Sequence, residues 1–408
     1  MSTTRKLFQN AVFQLQKMNI KDPYTNCLYI LEKVIRSAPP TSSSLSSSIT
    51  FSNKPYSRSS IELFLSANKS LTDVQKIMFN SMISRRSKYE PLQYILEEWD
   101  FAGLHNMIVR KPLLCPRPET EQLVELSEYL IQNYYQETNN NNTITNNKSP
   151  YQILEVGIGT GAISCALLSR LPSNIISSII GLDIQPIAIE VTKENSKKFQ
   201  VQDRLYPVLT NALEWKPNSD TNDYPYPSQG FDYIIANPPY IPTEYLSTLD
   251  SEVQNYEDKQ ALDGKYPYGL GFIIALLQNI NKLQWLTKAK HGKIILETDI
   301  LHPFILSTIC NTKNNNLLMS TIITNNNSNN PHQIIQPINK LYGNTMKWND
   351  LLNNIPEEIQ DKLNLSLLDK VILSIPPNIQ QWLYTTYQCT NIYYDYQGLP
   401  RFICLQYK

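Results

Sequence analysis

Two hydrophobic rhythms divide the chain. Up to about residue 90, apolar positions recur near every 3.6 residues, as in "NCLYILEKVIRS" (Asn26–Ser37) and "DVQKIMFNSMISRR" (Asp73–Arg86), and this predicts amphipathic helices. Leu7, Val12 and Leu15 fit one helical face as well, so the N-terminus reads as the first helix of that domain. The serine-rich "APPTSSSLSSS" interrupts the pattern and predicts a loop over about 38–60. From 97 to 118 short β-like runs alternate with Gly and Pro, which predicts a hairpin-like linker. "EQLVELSEYLIQNYY" (Glu121–Tyr135) reads as a further helix, ended by the polar "NNNNTITNNKS".

From Tyr151 the rhythm changes to alternating strands and helices. "YQILEVG", "IISSIIGLDI", "DRLYPVLTNAL", "FDYIIANPPY" and "GKIILETD" read as strands, while "AISCALLSRL" and "PIAIEVTKENSKKF" read as helices. Strands separated by helices imply a parallel, doubly wound sheet covered on both faces. The C-terminal "NIYYDYQGLPRFICLQY" is different: two β-rich runs flank a Gly-Leu-Pro turn and predict an antiparallel hairpin that closes the sheet. The expected organisation is therefore a helical domain over 1–96, the linker over 97–118, and an α/β domain over 119–408. An Asn/Ile-rich stretch at about 311–376 is expected as a surface insertion.

Composition narrows the function classes. Lys+Arg and Asp+Glu both total 36 and the pI is near 6.9, so no general electrostatic field holds the protein to nucleic acid. No apolar run approaches the roughly 20 residues of a membrane span, so no membrane partner is expected. The six cysteines are scattered without a Cys-x-x-Cys pair and read as packed thiols. The four histidines make no ligand pattern, and no metal is expected. Arg5, Lys6, Lys17 and Lys21 precede the first acid, Asp22, which also suits a mitochondrial targeting segment. Both readings of the N-terminus stand at this point.

Three motifs carry the chemistry. "LEVGIGTG" places Glu155, Gly157, Ile158, Gly159, Thr160 and Gly161 at a strand-to-helix turn, where glycines allow a tight turn and a close ligand. Dinucleotide sites place the third glycine one position later. This spacing, with an acid two residues before the first glycine, favours S-adenosyl-L-methionine, whose amino group suits a carboxylate. Asp183 ends the next strand, where an acid can accept hydrogen bonds from ribose hydroxyls; capping of the following helix is its alternative role.

The third motif, Asn237-Pro238-Pro239-Tyr240, ends a later strand. Prolines have no N–H to give a sheet, so the strand stops there and leaves a stiff peptide. The Asn237 carboxamide oxygen and the Pro238 carbonyl can both accept from one –NH₂ group. That draws a conjugated nitrogen towards sp³ character and aims its lone pair at a methyl donor. Tyr240 would pack on the flat face of the substrate group.

With these blocks in order, the sequence resembles the HemK/PrmC-type methyltransferases that modify the glutamine of the Gly-Gly-Gln motif in peptide chain release factors. "SRRSKYEPLQYILEEWDFAGLHNMIV", "PRPETEQLVE", "LEVGIGTGAIS", "ANPPYIP", "YEDKQALDG", "GKIILETD" and "DYQGLPRF" all take part. The resemblance implies a Rossmann-like class I methyltransferase domain behind a helical domain that helps grip the release factor. It implies that Gly157 to Gly161 cradle S-adenosyl-L-methionine, that Asp183 binds its ribose, and that Asn237 touches both ligands. Asn237 to Tyr240 would hold the substrate glutamine. Glu155 stands where the family usually has Asp, and "TNALEW" puts Asn211 or Ala212 where the family has an acid and an aromatic. The helical domain together with the basic N-terminus favours a mitochondrial enzyme over a cytoplasmic one. Two rival functions remain: an adenine-N6 methyltransferase on DNA or RNA, whose amine fits the same clamp, and a non-catalytic binding protein that kept the fold.

Overall fold

The computed structural model describes residues 3–37, 58–67, 69–140, 149–216, 224–311, 335–337 and 365–408. It divides into two compact units, one of residues 1–115 with 249–257 and one of 116–248 with 258–408.

The first unit holds α1 (Thr3–Lys17), α2 (Pro23–Ser37), α3 (Arg58–Ser66), α4 (Asp73–Arg86) and α5 (Leu92–Leu96). The helices bury one cluster that includes Phe8, Leu15, Leu31, Val34, Phe79 and Ile83. Leu15 is fully buried in α1, while Leu7 and Val12 pack at the rim, so the N-terminus is a helix of the domain core. Thr72 and Gln75 form a capping box that starts α4. The serine-rich loop expected at about 38–60 lies outside the described residues except at its end, where α3 begins at Arg58. β1 (Glu98–Phe101) and β2 (Leu104–Ile108) pair antiparallel, with Glu98 opposite Ile108, and belong to this unit. So does a short helix, Ser251–Tyr256, supplied by the chain just beyond Tyr240.

The second unit contains α6 (Pro118–Asn140), β3 (Tyr151–Val156), α7 (Ala162–Arg170), β4 (Ile176–Asp183), α8 (Pro186–Lys198), β5 (Leu205–Leu209) and β6 (Tyr233–Ala236). It continues through α9 (Gly271–Lys282), β7 (Lys293–Glu297), α10 (His302–Asn311), β8 (Ile335–Pro337), α11 (Leu365–Ser374), α12 (Pro377–Thr386), β9 (Tyr387–Tyr394) and β10 (Pro400–Tyr407). The sheet order is β5-β4-β3-β6-β7-β10-β9-β8. Strands β5 to β7 run parallel; β10 pairs antiparallel with both β7 and β9. This is the doubly wound α/β class with the expected C-terminal hairpin, and it is the class I methyltransferase architecture. All four residues of β6 are buried, as a central parallel strand requires.

The chain winds outward from β3 to β5 and then returns to place β6 on the other side of β3. The carboxyl ends of β3 and β6 therefore flank a topological switch point, the place where such sheets bind ligands. The stretch read as an insertion has a different character at its end. Leu368, Val371 and Ile372 of α11, with Ile375 after it, are buried in the main core. Residues 312–334 and 338–364 lie outside the described residues. All six cysteines are buried thiols, and among the described residues no helix is long and apolar enough to cross a membrane.

Candidate active site

Register brings the motifs together. Val156 pairs with Leu182 on one side and Ala236 on the other, and Ala236 pairs with Leu296. One residue further on, Asp183, Gly157, Asn237 and Glu297 form a single row across the carboxyl edge. The three motifs separated by 80 residues of sequence thus meet at one place, with a fourth residue beside them.

Gly157, Gly159 and Gly161 all have positive φ, at 76°, 54° and 77°. Side chains rarely adopt that conformation, so the turn between β3 and α7 needs glycine. A Cβ built on Gly157 or Gly159 meets nothing within 4 Å, so the loop borders open space there, as a cradle for a ligand would. Gly161 instead approaches Thr192 of α8, whose hydroxyl donates to the Gly159 carbonyl at 3.1 Å; Asn195 donates to the Thr160 carbonyl at 2.9 Å. Ile158 is buried, and its side chain fills the space left by Gly181 of β4. Thr160 is buried as well. These two residues shape the loop from below.

Asp183 is bound into the same loop. Its Oδ2 accepts from the Gly159 N–H and its Oδ1 from the Gln185 N–H, both at 2.9 Å. Burial raises its pKa, and these hydrogen bonds oppose the rise. Each oxygen keeps a further lone pair. Asp183 therefore turns the chain into α8 and also remains able to accept from a ligand. Glu155 is buried, and its Oε2 accepts from both the backbone N–H and the hydroxyl of Ser164. Burial pushes its carboxyl up to about 8. Asn211 and Ala212 follow β5, with Asn211 Oδ1 accepting from the Leu213 N–H in a local turn.

Asn237 follows β6 and its Nδ2 donates to Thr120 Oγ1 at 2.9 Å. Among the described residues, no protein group donates to Asn237 Oδ1 or to the Pro238 carbonyl. Pro238 is buried, while Asn237, Pro239 and Tyr240 are half-buried. The loop is seated on two glycines. A Cβ on Gly269 would lie 2.0 Å from the Tyr240 carbonyl oxygen, and one on Gly264 would lie 2.6 Å from Tyr240 Cα. Ile241 exchanges backbone hydrogen bonds with Leu262 and Gly264, both at 2.9 Å, which completes the seat.

Sequence reading missed Thr120, Glu297 and Arg401. Tyr240 Oη donates to Glu297 Oε1 across 3.5 Å, and Glu297 is only 1% exposed. Burial pushes its carboxyl up to about 7, against the pull of the Thr120 hydroxyl and the Arg401 charge. The signal for Glu297 was its position at the carboxyl end of a parallel strand. Thr120 and Arg401 lie 117 and 164 residues from Asn237 in the chain; both fall inside blocks quoted for the resemblance, "PRPETEQLVE" and "DYQGLPRF", to which no role at the site was given.

Comparison with known proteins bears on the family of the chain. Residues 147–365 match the family described as "Methyltransferase domain", and residues 56–96 match the one described as "PrmC N-terminal domain". The first match spans more than half of the chain, which belongs to the methyltransferase-domain family. The chain is 36% identical over 241 residues to the MTRF1L release factor glutamine methyltransferase of Homo sapiens, covering 58% of this chain and 64% of that protein. It is 31% identical over 310 residues to a bifunctional methyltransferase of Rickettsia conorii, covering 72% and 50%. It is 32% identical over 206 residues to the release factor glutamine methyltransferase of Geobacter sulfurreducens, covering 50% and 61%. The chain thus spans between about half and two thirds of the length of these curated relatives.

Proposed function

We propose that this protein transfers a methyl group from S-adenosyl-L-methionine to the side-chain amide nitrogen (N5) of the glutamine in the Gly-Gly-Gln motif of a peptide chain release factor. The observation that carries the reading is the commitment of Asn237 Nδ2 to Thr120, beside a glycine loop bordering open space. That bond leaves the carboxamide oxygen as the end offered to a substrate. Together with the Pro238 carbonyl it provides two acceptors for one –NH₂ group, which is what a glutamine amide presents. The names of the human and Geobacter relatives support the same substrate.

The residues then divide the work. Gly157 to Gly161 and Asp183 hold the methyl donor, which when bound supplies an electrophilic methyl group on a sulfonium. Burial holds the Glu155 carboxyl up to about 8, and a cationic amino group placed beside it would favour the ionised form. Asn237 Oδ1 and the Pro238 carbonyl take the two amide hydrogens and localise the nitrogen lone pair, while Tyr240 packs against the flat amide. The nitrogen lone pair would form the new bond to the methyl carbon while the sulfonium's carbon–sulfur bond breaks and its electron pair stays on sulfur. The nitrogen's proton becomes acidic as the new bond forms and leaves to water, so no strong base is required. The first unit, of which residues 56–96 match the PrmC N-terminal domain, is assigned to gripping the release factor. The helical first unit, which the resemblance associates with mitochondrial rather than cytoplasmic enzymes, favours a mitochondrial release factor as the substrate.

The test is methyl transfer from labelled S-adenosyl-L-methionine to a purified mitochondrial release factor, beside its Gln→Asn variant at Gly-Gly-Gln and an Asn237→Ala enzyme. Label on the native factor, lost in both variants, is the expected result. Label that persists on the Asn variant would sink the assignment.

A further inference from the structure

Asn237 stands beside a buried carboxyl, Glu297, in the row across the carboxyl edge of the sheet. Its Nδ2 donates to Thr120 Oγ1, and the Thr120 hydroxyl in turn stabilises the Glu297 carboxylate. Glu297 is 1% exposed, its Oε1 accepts from Tyr240 Oη across 3.5 Å, and its Oε2 has no hydrogen-bond partner among the described residues. The groups that face Glu297 are Tyr240 after β6, Arg401 on β10, and Thr120 and Glu119 at the start of α6; Asp299 after β7 faces Tyr240 and Arg401. Holding a methyl donor and a planar amide requires none of the carboxyl groups in this set.

We propose that Thr120 and Glu297 are positioning residues that decide which end of the Asn237 carboxamide meets the substrate, and that the clamp forms only while Glu297 is ionised. The inference rests on the reading of Asn237 as the substrate clamp. A hydroxyl has one proton to give and two lone pairs. An ionised carboxylate only accepts, so Glu297 claims the Thr120 proton. Thr120 is left with lone pairs, and only the Nδ2 end of Asn237 pairs with them. Oδ1 is thereby turned to the substrate –NH₂.

Protonation undoes this order. A neutral Glu297 carboxyl releases the Thr120 proton or gives one of its own. Asn237 then pairs equally well through Oδ1 and presents its own –NH₂ to the substrate, donor against donor. The proton moves between Glu297 and solvent, so no further acid or base is needed. Burial and Glu119 favour the neutral form; Arg401 and the Thr120 and Tyr240 hydroxyls favour the ionised one.

The test measures kcat of methyl transfer to the Gly-Gly-Gln release factor, at saturating S-adenosyl-L-methionine, across about pH 5.5 to 8.5. Wild type is compared with Thr120→Val, Thr120→Ser and Glu297→Gln, with cofactor affinity measured by calorimetry. The wild-type rate should rise with pH through a single titration. Thr120→Val should lose on the order of tenfold to a hundredfold in kcat and show a flat profile. Thr120→Ser should recover most of both, Glu297→Gln should be flat, and cofactor affinity should hold in all four. A flat wild-type profile, a Thr120→Val enzyme with wild-type rate, or a Thr120→Ser enzyme as impaired as Thr120→Val would overturn the proposal. If Thr120→Val does not fold, the wild-type profile and Thr120→Ser still decide. A wild-type enzyme that methylates nothing would overturn the reading of the site itself, a result distinct from any pattern among the variants.

Discussion

The Asp183 carboxylate accepts the backbone N–H of Gly159 at 2.9 Å, so the acid that ends β4 is tied to the glycine loop that follows β3. The two parts of the proposed donor site are therefore one mechanical piece. Asp183→Asn keeps the size but puts an –NH₂ where an acceptor is needed, against either Gly159 or Gln185. Hydrogen bonds to a charged group contribute about 1.5–3 kcal/mol, so cofactor affinity should fall roughly tenfold to a hundredfold. Titration calorimetry with S-adenosyl-L-methionine checks this. An unchanged affinity would mean that the loop holds its shape without Asp183.

Glu155 makes the stability of the free protein depend on pH. Its folded pKa, about 8, lies above the ordinary 4.5, because burial disfavours the charge more than Ser164 favours it. Between those values the folded state binds the extra proton, so stability falls as pH rises, by at most about 1.4 kcal/mol per pH unit for this one group. Glu297, at about 7, adds the same sign over a narrower window. Chemical denaturation at pH 5 to 8 should show the decline, and Glu155→Gln should reduce it. A Glu155→Gln protein with the full wild-type slope would place the effect elsewhere.

What was legible in the sequence follows the range of the interactions involved. The strands of the parallel sheet show as Ile- and Leu-rich runs because both faces are buried. The glycine loop and Asn237 to Tyr240 show because each depends on neighbours in the chain. The seat under Tyr240, made by Gly264 and Gly269, is built of residues 24 and 29 positions away, and nothing local marks it. α11 was hidden for another reason. Leu368, Val371, Ile372 and Ile375 keep helical spacing, but the Asn-rich composition before them drew the boundary of the expected insertion past them.

Arg86 gives the first unit its own weak point. It is buried, and it donates to Asn26 Oδ1 at 2.6 Å, to the Glu90 carbonyl at 2.8 Å and to Glu252 at 2.6 Å. Glu252 lies in the segment contributed from beyond Tyr240, so this arginine ties that segment to α2 and α4. Arg86→Ala would leave Asn26 and Glu252 without it. A loss of about 2–4 kcal/mol is expected, since Glu252 is part exposed and some of the penalty is relieved by water. Thermal unfolding monitored by circular dichroism would measure it; Arg86→Lys, with one point charge for three directed contacts, should recover little.

Gly269 separates the two halves of the site most cleanly. It has φ +77°, and a Cβ there would fall 2.0 Å from the Tyr240 carbonyl oxygen, a collision with backbone that no rotamer relieves. Gly269→Ala must therefore shift the loop that carries Asn237 to Tyr240, or distort the turn beneath it. The glycine loop, held by Asp183, Thr192 and Asn195, is not touched. Displacing a reacting group by about 1 Å can lower a rate on the order of a hundredfold. The variant should then bind S-adenosyl-L-methionine with wild-type affinity while methyl transfer falls by about that factor, a split read by calorimetry and labelled transfer on one preparation. Equal loss of both would mean that the two loops form one cooperative unit, and that the donor cradle depends on the peptide clamp beside it.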